Sequence, residues 1–562
     1  MTHSYRNLIL NALIPVIGKQ INSTRLTYGI TQIFPEPAVH LTVPSGMLQS
    51  RPDITSTVSN LFDKEPRIKK VHVINEGRTP KVLLQLDRDY FVRSVIDNDN
   101  SKKVQKAPDA PKTVLEFSSP NIAKPFHAGH LRSAIIGNFL SNLYDHIGHN
   151  VVKINYLGDW GTQFGYLKLG VELKNLTKEY IKLNPIKKLY EAYVHAYKAA
   201  SDNDSLQMRA REIFAGLENG QFEELQAWNE IRSYAVDELK NVYNRLGITF
   251  DHYHWESQYG ISMITEVLSL LEKNGVAHPQ VDGRKTVQVG NRMVPIVKSD
   301  GTTLYLTRDV AALIDRHKRF EFDNVLYVVD NAQSDHFAAL ISIAQQLNLP
   351  YAANVAHIKF GRVKGMSTRK GTVVFLADIL DEAEILMRRK QLAAKTTKID
   401  LSNDDETTSI LATTAVVIND LKQRRMRDYD FSWDKALQTD GDSGIKLQYT
   451  HCRLWSLENS FGSPDEKCNP DLLPEKEALA LVCEIARFEE ALAEAEEKKE
   501  ACVLVNYLFS LCNAINRALL TLNVKNEECN RRQTQRMLLF TSARKTLHRG
   551  MEILGLRPLQ KM

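Results

Sequence analysis

The residues best suited to chemistry are two histidines, His127 and His130, in the string HAGH. They follow a polar, proline-containing loop and open a long amphipathic run, so they should lie in the first turn of a helix. Residues three apart project from one side of a helix, and a helix N-terminus attracts a phosphate chain. Gly129 has no side chain, so a flat ring such as adenine can approach its backbone. The pattern predicts a nucleotide site, although four residues also fit a helix that merely begins with histidines.

The elements around these histidines are expected to form a β-loop-α-β unit. Residues 114–117 have the pattern of a buried strand, apolar positions recur at helical spacing from 131 to 144, and Gly148 is placed to end the helix. Residues 151–154 are the next expected strand. Such units build a doubly wound parallel sheet, which binds ligands at the carboxyl ends of its strands.

Further along the chain, two polar stretches are candidates for that edge of the sheet. Residues 304–306 are expected to be a short strand and residues from 310 a helix, and the string YLTRD, residues 305–309, leads from one to the other. Residues 322–329 are expected to be a core strand that ends in the polar string DNAQ, 330–333.

A second basic segment has the composition of a mobile loop. The string GMSTRKG, residues 365–371, combines two glycines with Arg369 and Lys370. Taken alone it also fits a basic surface turn.

Composition limits the class of protein. A chain of 562 residues suggests about three or four domains. The formal net charge of +5 is compatible with an RNA partner but does not require one. The six cysteines include no CxxC pair, so no zinc site is expected, and no apolar run approaches the length of a membrane span.

Domain boundaries follow from shifts in pattern. Residues 1–105 are expected to be a small α/β domain, joined by the polar linker 97–112 to a larger α/β domain spanning 106–405. Within it, helical and hairpin-like insertions are expected at about 166–250 and 262–300. The acid-poor N-terminus fits the first helix of the α/β domain, with a mitochondrial transit segment as the alternative.

The C-terminal residues 406–562 carry helical periodicity throughout and are expected to form an all-α bundle. Four side chains near the start of the bundle could stack or hydrogen-bond with unpaired bases: Tyr449, His451, Arg453 and Trp455. At helical spacing, the aromatic members fit a core equally well.

Several strings together resemble one family. EFSSPNIAKPFHAGHLRS and NYLGDWGTQFG resemble arginyl-tRNA synthetases, of the eukaryotic cytosolic or mitochondrial type, and HAGH resembles the HIGH signature of class I aminoacyl-tRNA synthetases. LYLTRDVAALIDR also matches, and GMSTRKG resembles a degenerate KMSKS loop. The resemblance covers about 112–562 and implies a Rossmann-type (HUP) class I α/β catalytic domain. It also implies a small N-terminal tRNA-contacting α/β domain and a C-terminal anticodon-binding bundle.

The resemblance implies roles for individual residues. Catalysis would rest on Lys124, His127 and His130. ATP would bind to His127, Gly129, His130, Met366, Ser367 and Arg369. Arginine would bind to Tyr305 and Asp309 at its guanidinium, with Glu116 assisting, and to Asn121 and Gln333 at its α-amino and carboxylate end. The four aromatic or basic residues of the bundle would contact tRNA.

The reaction implied is ATP-dependent activation of L-arginine and its transfer to tRNA-Arg, with Mg²⁺ accompanying ATP and no zinc. The alternatives are another HxGH nucleotidyltransferase, which would not need the helical bundle, and a non-catalytic RNA-binding paralogue of a synthetase. The expected protein is a soluble intracellular monomer without membrane contact. Cytoplasm and mitochondrial matrix both remain open.

Overall fold

The computed structural model describes most of the chain and divides it into two compact units. The described residues are 25–30, 37–42, 65–74, 81–99, 101–122, 124, 126, 128–219, 221–366, 375–394, 405–438 and 441–562. One unit comprises Met1–Lys103, Lys390–Lys422 and Leu437–Met562; the other comprises Val104–Arg389 and Gln423–Ala436.

The N-terminal part of the first unit contains a four-stranded antiparallel sheet. Its strands are β1 (Arg25–Ile30), β2 (Pro37–Thr42), β3 (Ile68–Ile74) and β4 (Lys81–Leu86), in the order β1-β2-β4-β3. Helix α1 (Arg88–Asp97) follows and is capped by the Asp87 carboxylate, which accepts a 2.8 Å hydrogen bond from the Tyr90 amide. The helix predicted before β1 lies outside the described residues.

The predicted β-loop-α-β unit is confirmed. Strand β5 (Lys112–Phe117) leads through the loop to helix α2 (Ala128–His146), and strand β6 (Asn150–Leu157) pairs with β5 in parallel. Gly148 has a φ of +100°, a conformation that ends the helix easily only with glycine. A Cβ at Gly137 would lie 2.1 Å from Cγ of Phe117, so α2 packs directly on its own strand.

The stretch after β6 is helical. Five helices follow: α3 (Thr162–Leu173), α4 (Lys178–Lys182), α5 (Pro185–Ser201), α6 (Asp204–Glu218) and α7 (Phe222–Arg245). A Cβ at Gly165 would lie 1.9 Å from the Ala210 carbonyl oxygen, and one at Gly170 would lie 2.1 Å from that of Ala192. The two glycines of α3 therefore allow close approach of α6 and α5.

Strand β7 (His252–Trp255) returns the chain to the sheet beside β6. Helix α8 (Ile261–Lys273) and a small antiparallel sheet of β8 (Ala277–Pro279), β9 (Lys285–Val289) and β10 (Arg292–Val297) follow. Helix α9 (Tyr305–Phe320), strand β11 (Asn324–Asp330), helix α10 (Ser334–Gln346) and strand β12 (Val355–Phe360) complete a parallel sheet of order β12-β11-β5-β6-β7.

The short strand predicted at 304–306 is wrong, because α9 already begins at Tyr305. Leu304 is extended and its amide donates to the Ile296 carbonyl. The Thr307 hydroxyl donates to the same carbonyl at 2.8 Å. These bonds to β10 fix the first turn, so a short segment resembling a strand is helical instead.

The remaining elements are a short parallel pair and helices. Strand β13 (Val363–Lys364), helices α11 (Leu376–Ala393) and α12 (Asp405–Leu421), strand β14 (Tyr429–Asp430) and helix α13 (Trp433–Ala436) come first, and β13 pairs with β14. The bundle helices are α14 (Gly444–Phe461), α15 (Lys476–Ala486), α16 (Phe488–Lys498), α17 (Ala501–Thr521) and α18 (Asn530–Ile553). Among the described helices, α17 alone is long and apolar enough to span a bilayer, and it packs within the bundle with 56% of that segment buried.

Candidate active site

The loop that leaves β5 turns sharply at two serines. Ser118 and Ser119 have φ values of 70° and 44°, a left-handed conformation that costs free energy for non-glycine residues. The Ser118 amide donates to Oγ of Ser133 at 2.8 Å, and the Ser119 amide donates to Oδ1 of Asn155 at 3.1 Å. Bonds from α2 and β6 thus hold the loop that carries the predicted site residues.

The first turn of α2 presents part of the predicted nucleotide site. Gly129 and His130 lie in that turn and are half-buried, while His127 lies outside the described residues. The His130 ring stacks on buried Phe126 with a centroid distance of 5.4 Å. Lys124 is exposed in the loop before the helix, and its amide donates to the Asn121 carbonyl. The exposed lysine therefore lies just before the N-terminus of α2, and both a cation and a helix N-terminus suit the binding of a phosphate chain.

The segment leading to the predicted KMSKS-like loop is fixed by the same helix. Nη1 of buried Arg132 donates to the carbonyl oxygens of Gly361 at 2.6 Å and Arg427 at 3.0 Å. Met366 is buried, whereas the predicted residues Ser367 and Arg369 lie outside the described residues. Because Arg132 and His130 belong to the same helix, α2 both anchors the segment before the loop and carries a histidine of the predicted nucleotide site.

Tyr305 and Asp309 lie one turn apart at the start of α9. Tyr305 is 58% exposed, and the Asp309 side chain is 24% exposed. Oδ2 of Asp309 lies 2.5 Å from Nε2 of His336, which belongs to α10. The partner of this carboxylate was not predicted from the sequence.

Glu116 is buried and already paired. It forms an ion pair with Arg316, whose guanidinium lies between Tyr156 at 4.9 Å and Tyr327 at 5.9 Å from the ring centroids. Burial raises the pKa of Glu116 despite the opposing charge of Arg316, and the negative charge of Asp309 raises it further. The charges of Glu116 and Asp309 therefore influence each other, but the Glu116 carboxylate is already paired with Arg316 of the protein.

Glu256 is a third acidic member that sequence reasoning missed. Burial raises its pKa to about 7 although Nη1 of Arg308 lies 3.0 Å from its carboxylate. The turn that carries it is fixed by buried Asp159, which accepts hydrogen bonds from the Ser257 amide at 3.0 Å and the Ser257 hydroxyl at 2.7 Å. The signal in the sequence was the aspartate of the string GDWG, Asp159. Its hydrogen-bond partner Ser257 directly follows Glu256 but lies 98 residues further along the chain.

The two residues predicted for the amino-acid backbone lie at strand ends. Asn121 forms a bridge with Gly158 between the ends of β5 and β6. Gln333 is exposed in the 3₁₀ turn Asn331–Gln333, directly after β11. Since β5 and β11 are neighbours, both lie at the carboxyl edge where open α/β sheets bind ligands.

The predicted RNA-contacting residues differ from one another in exposure. On α14, Tyr449 is 50% exposed and Arg453 is exposed, with Nη1 of Arg453 donating to Asn516 at 2.9 Å. Trp455 is half-buried beneath the Arg544 guanidinium. His451 is fully buried, so it is a core residue and we remove it from the predicted RNA contacts.

Among the described residues, no group of three or more His, Cys, Asp or Glu side chains could hold a metal ion. The six cysteines are thiols and form no disulfide with one another, and all except Cys529 are buried.

Two family models cover most of the chain. Residues 92–433 match tRNA synthetases class I (R), catalytic domain, and residues 447–562 match the DALR anticodon binding domain. The chain is 38% identical over 527 residues to the probable mitochondrial arginine–tRNA ligase of Homo sapiens, covering 91% of this chain and 90% of the human protein. It is also 38% identical over 508 residues to the cytoplasmic arginine–tRNA ligase of Saccharomyces cerevisiae, covering 87% and 83%.

Solved structures show the same fold. The arginyl-tRNA synthetase of Plasmodium falciparum superposes with a TM-score of 0.81 at 24% identity, covering 99% of this chain and 98% of that chain. That of Thermus thermophilus gives a TM-score of 0.84 at 20% identity, covering 99% and 100%.

Proposed function

The chain belongs to the arginine-specific class I tRNA synthetases, and from that premise we propose how its residues share the reaction. It is an arginine–tRNA ligase, which activates L-arginine with ATP to arginyl-adenylate and transfers the arginyl group to the 3′-terminal adenosine of tRNA-Arg. The similarity extends over both the catalytic and the anticodon-binding parts, so a nucleotidyltransferase with neither arginine nor tRNA as substrate is not supported.

Activation needs positioned charge rather than a protein nucleophile. The substrate carboxylate is already ionised and attacks the α-phosphate in line, and pyrophosphate leaves. His127, Gly129 and His130 are assigned to ATP at the N-terminus of α2, together with Met366, Ser367 and Arg369. Lys124 is assigned to stabilise the phosphates, which its exposed position in the loop before α2 permits. Mg²⁺ bound together with ATP would neutralise further phosphate charge.

Arginine recognition is assigned to the polar cluster at the carboxyl edge of the sheet. The substrate guanidinium stays protonated and needs a carboxylate acceptor. Asp309 suits this role best, because among the described residues its ion-pair partner is a histidine, whereas Glu116 is paired with an arginine. Tyr305 supports the guanidinium, and Asn121 and Gln333 take the amino-acid end. That contrast between two carboxylates carries the assignment.

Recognition of tRNA is assigned to the outer parts of the chain. Residues 406–562 would bind the anticodon stem, with Tyr449, Arg453 and Trp455 on or near the surface of α14. Residues 1–105 would contact tRNA elsewhere, and residues 106–405 would form the catalytic domain. The proposed protein acts as a monomer in the cytoplasm or the mitochondrial matrix.

Arginine-dependent ATP–pyrophosphate exchange, measured with and without tRNA, tests this proposal. Members of the family generally need bound tRNA to form the adenylate, so exchange should be weak with arginine and ATP alone and strong once tRNA-Arg is added. Exchange that depends on arginine but is equally fast without RNA would reject tRNA as a co-substrate in activation. Absence of arginine-dependent exchange under both conditions would reject the assigned active site.

A further inference from the structure

The carboxylates at the sheet edge differ in the kind of cation that balances them. Buried Glu116 is paired with Arg316, and Glu256 is paired with Arg308, whose Nη1 lies 3.0 Å away. A guanidinium does not give up its proton in a protein. These two pairs therefore remain neutral overall at every pH at which the carboxylates are ionised.

Asp309 is balanced differently. Nε2 of His336 lies 2.5 Å from its Oδ2, and both side chains are 24% exposed. Histidine is the side chain that gains or loses its proton near neutral pH. The Asp309 pair is consequently the one of the three whose cation can lose its charge when a new cation arrives; in the other two pairs only the carboxylate can titrate.

We propose that His336 is a positioning residue whose positive charge balances Asp309 until the positive charge of the substrate replaces it. In the empty site, the protonated imidazole donates to Asp309 and balances its charge. When L-arginine binds, its guanidinium takes over the carboxylate, and the proton of His336 leaves to solvent. The neutral imidazole keeps its hydrogen bond to Asp309 and fixes the carboxylate for the guanidinium. This inference rests on the proposed role of Asp309 in arginine binding.

The groups facing His336 favour protonation in the empty site. Burial lowers the pKa of His336, but the hydrogen bond and charge of Asp309, with the charge of Glu116 on β5, together raise it above its ordinary value. His357 on β12 is the other nearby imidazole, and burial lowers its pKa to about 4, so it is neutral. In the absence of arginine, the charge of Asp309 therefore favours the protonated form of His336.

Three charged groups on α10 and on its neighbouring elements are engaged elsewhere. Asp335 forms a two-point ion pair with Arg292, at 3.2 and 3.0 Å. Lys285 on β9 pairs with Glu272. Oδ1 of Asp330 accepts from the Ala332 amide at 2.7 Å in the turn before α10. His336 is thus left to respond mainly to the charge that reaches Asp309.

The sign of the pH dependence follows from linkage. The empty enzyme binds the His336 proton more tightly than the arginine complex does, so protons oppose arginine binding. Affinity should be highest above the His336 pKa of the empty enzyme and should fall by up to about tenfold per pH unit below it. That pKa lies above the ordinary 6.5, so the fall should begin near neutral pH.

Calorimetric titration of the full-length enzyme with L-arginine tests the inference. Titrations at one pH, slightly below neutral, in buffers of different ionisation enthalpy give the number of protons released. We expect a value approaching about one per bound arginine, and weaker binding at about pH 6 than at about pH 8. Binding without proton release at any pH from about 6 to 8 would overturn the inference.

Two histidine variants separate the proton from the hydrogen bond. His336→Gln retains an amide donor at similar reach but cannot take a proton, so it should bind arginine with no proton release and a flat pH profile. His278→Gln removes an exposed histidine on β8 and should behave as the parent enzyme. A His336→Gln enzyme that still releases the proton would place the titrating group elsewhere.

Asp309→Asn distinguishes failure of the inference from failure of the proposed function. If Asp309→Asn binds arginine as well as the parent enzyme, the proposed guanidinium site is wrong. If arginine binding is lost in Asp309→Asn but the parent enzyme releases no proton, only the role of His336 is wrong.

Discussion

Two clusters of buried polar side chains, one in each unit of the molecule, have opposite character. At the carboxyl edge of the catalytic sheet they are charged and incompletely satisfied. Arg316 is fully buried, yet its Nη2 has no hydrogen-bond partner among the described residues, and neither does the buried hydroxyl of Tyr156. Burial also raises the pKa of Glu256 to about 7. Such groups cost stability unless a ligand or a special role compensates.

In the helical bundle, the buried network around Gln448 and His451 is neutral and ties down the C-terminal residues. The side chain of Gln448 donates from Nε2 to the Arg557 carbonyl at 2.9 Å and accepts from the Leu559 amide at 2.9 Å. Nδ1–H of His451 donates to the Leu559 carbonyl at 2.7 Å. Burial lowers the pKa of His451 to about 4, so the ring is neutral at physiological pH.

The comparison shows that burial alone does not indicate whether a polar residue serves binding or stability. A neutral, satisfied network contributes free energy to folding. Buried charges with unused donors are instead ready to interact with a charged ligand. Substitutions at the sheet edge should change kinetics with little change in stability, and substitutions in the bundle network should do the reverse.

Asp309→Asn should give the largest kinetic effect. It removes the charge opposite a substrate that is always cationic, which costs on the order of 2–5 kcal/mol if the pair is desolvated. We expect kcat/KM for arginine to fall roughly 30-fold to several thousand-fold, measured by aminoacylation at saturating ATP and tRNA.

Asp335→Asn is the matched control, because Asp335 is an exposed carboxylate in the first turn of α10 that pairs with Arg292. It should leave arginine use nearly unchanged. Unchanged KM and kcat in Asp309→Asn would exclude Asp309 as the guanidinium acceptor, and a large loss of thermal stability would break the comparison between the two networks.

Lys124→Ala should give the next largest effect. The KMSKS-like loop has Arg369 where a lysine is usual, and a planar guanidinium does not replace a compact ammonium. An exposed lysine just before α2 can supply the missing charge, so its loss should slow adenylate formation roughly 100-fold or more. Single-turnover formation of arginyl-adenylate with tRNA present measures this rate.

The control for Lys124 is Lys318→Ala, which removes another exposed lysine, in the last turn of α9. Arginine affinity should change little in either variant. A Lys124→Ala rate within a factor of about two of the parent enzyme would mean that Mg²⁺ and residues 365–371 suffice.

Sequence reasoning succeeded where chemistry and local pattern coincide. The strand-loop-helix around His130 was predicted because apolar period, loop residues and motif all lie within about 35 positions. It failed at 304–306, where bonds to Ile296 decide that the segment is helical. His336 could not be paired with Asp309, since the two are 27 residues apart and meet only through the packing of α10 on α9.

The same limit explains the error at His451. In sequence, Tyr449 and His451 are equivalent members of one polar-aromatic run. In the bundle they face opposite ways, because His451 meets the carbonyl of Leu559, 108 residues further on. Periodicity indicated the helix, but only the fold of the C-terminal residues determines which face is covered.

His451→Ala should reduce stability and leave arginine kinetics unchanged. It removes the imidazole donor of the Leu559 carbonyl and leaves that carbonyl only the weak thiol donor of Cys452, at 3.2 Å, which should cost about 1–3 kcal/mol. Because the folded pKa is lowered to about 4, the stabilising effect of His451 is present above pH 6.5 and is lost as the pH falls towards 4. Hydrogen exchange of α14 and residues 556–562 measures the loss locally, which suits a chain with two units.

If His451→Ala instead impaired binding of tRNA with no faster exchange in these segments, the assignment of His451 to the core would be wrong. The same measurement on Asp309→Asn should show unchanged exchange throughout the bundle.

Tyr449→Ala should give the smallest kinetic effect of these variants. It tests the comparison within a single helix, between exposed Tyr449 and buried His451. Tyr449 is 50% exposed, and the Arg453 guanidinium lies 5.8 Å from its ring centroid, so the pair forms a platform on which an unpaired base can stack. Part of the ring is already covered by Arg453, so we expect the lower end of a stacking contribution, about 1 kcal/mol, or roughly a fivefold rise in KM for tRNA. Tyr449→Phe retains the ring and should restore most of the affinity, and neither variant should accelerate hydrogen exchange in α14.

A Tyr449→Ala enzyme that loses stability as His451→Ala does, with KM for tRNA unchanged, would assign both residues to packing and remove the distinction between the two faces of the helix.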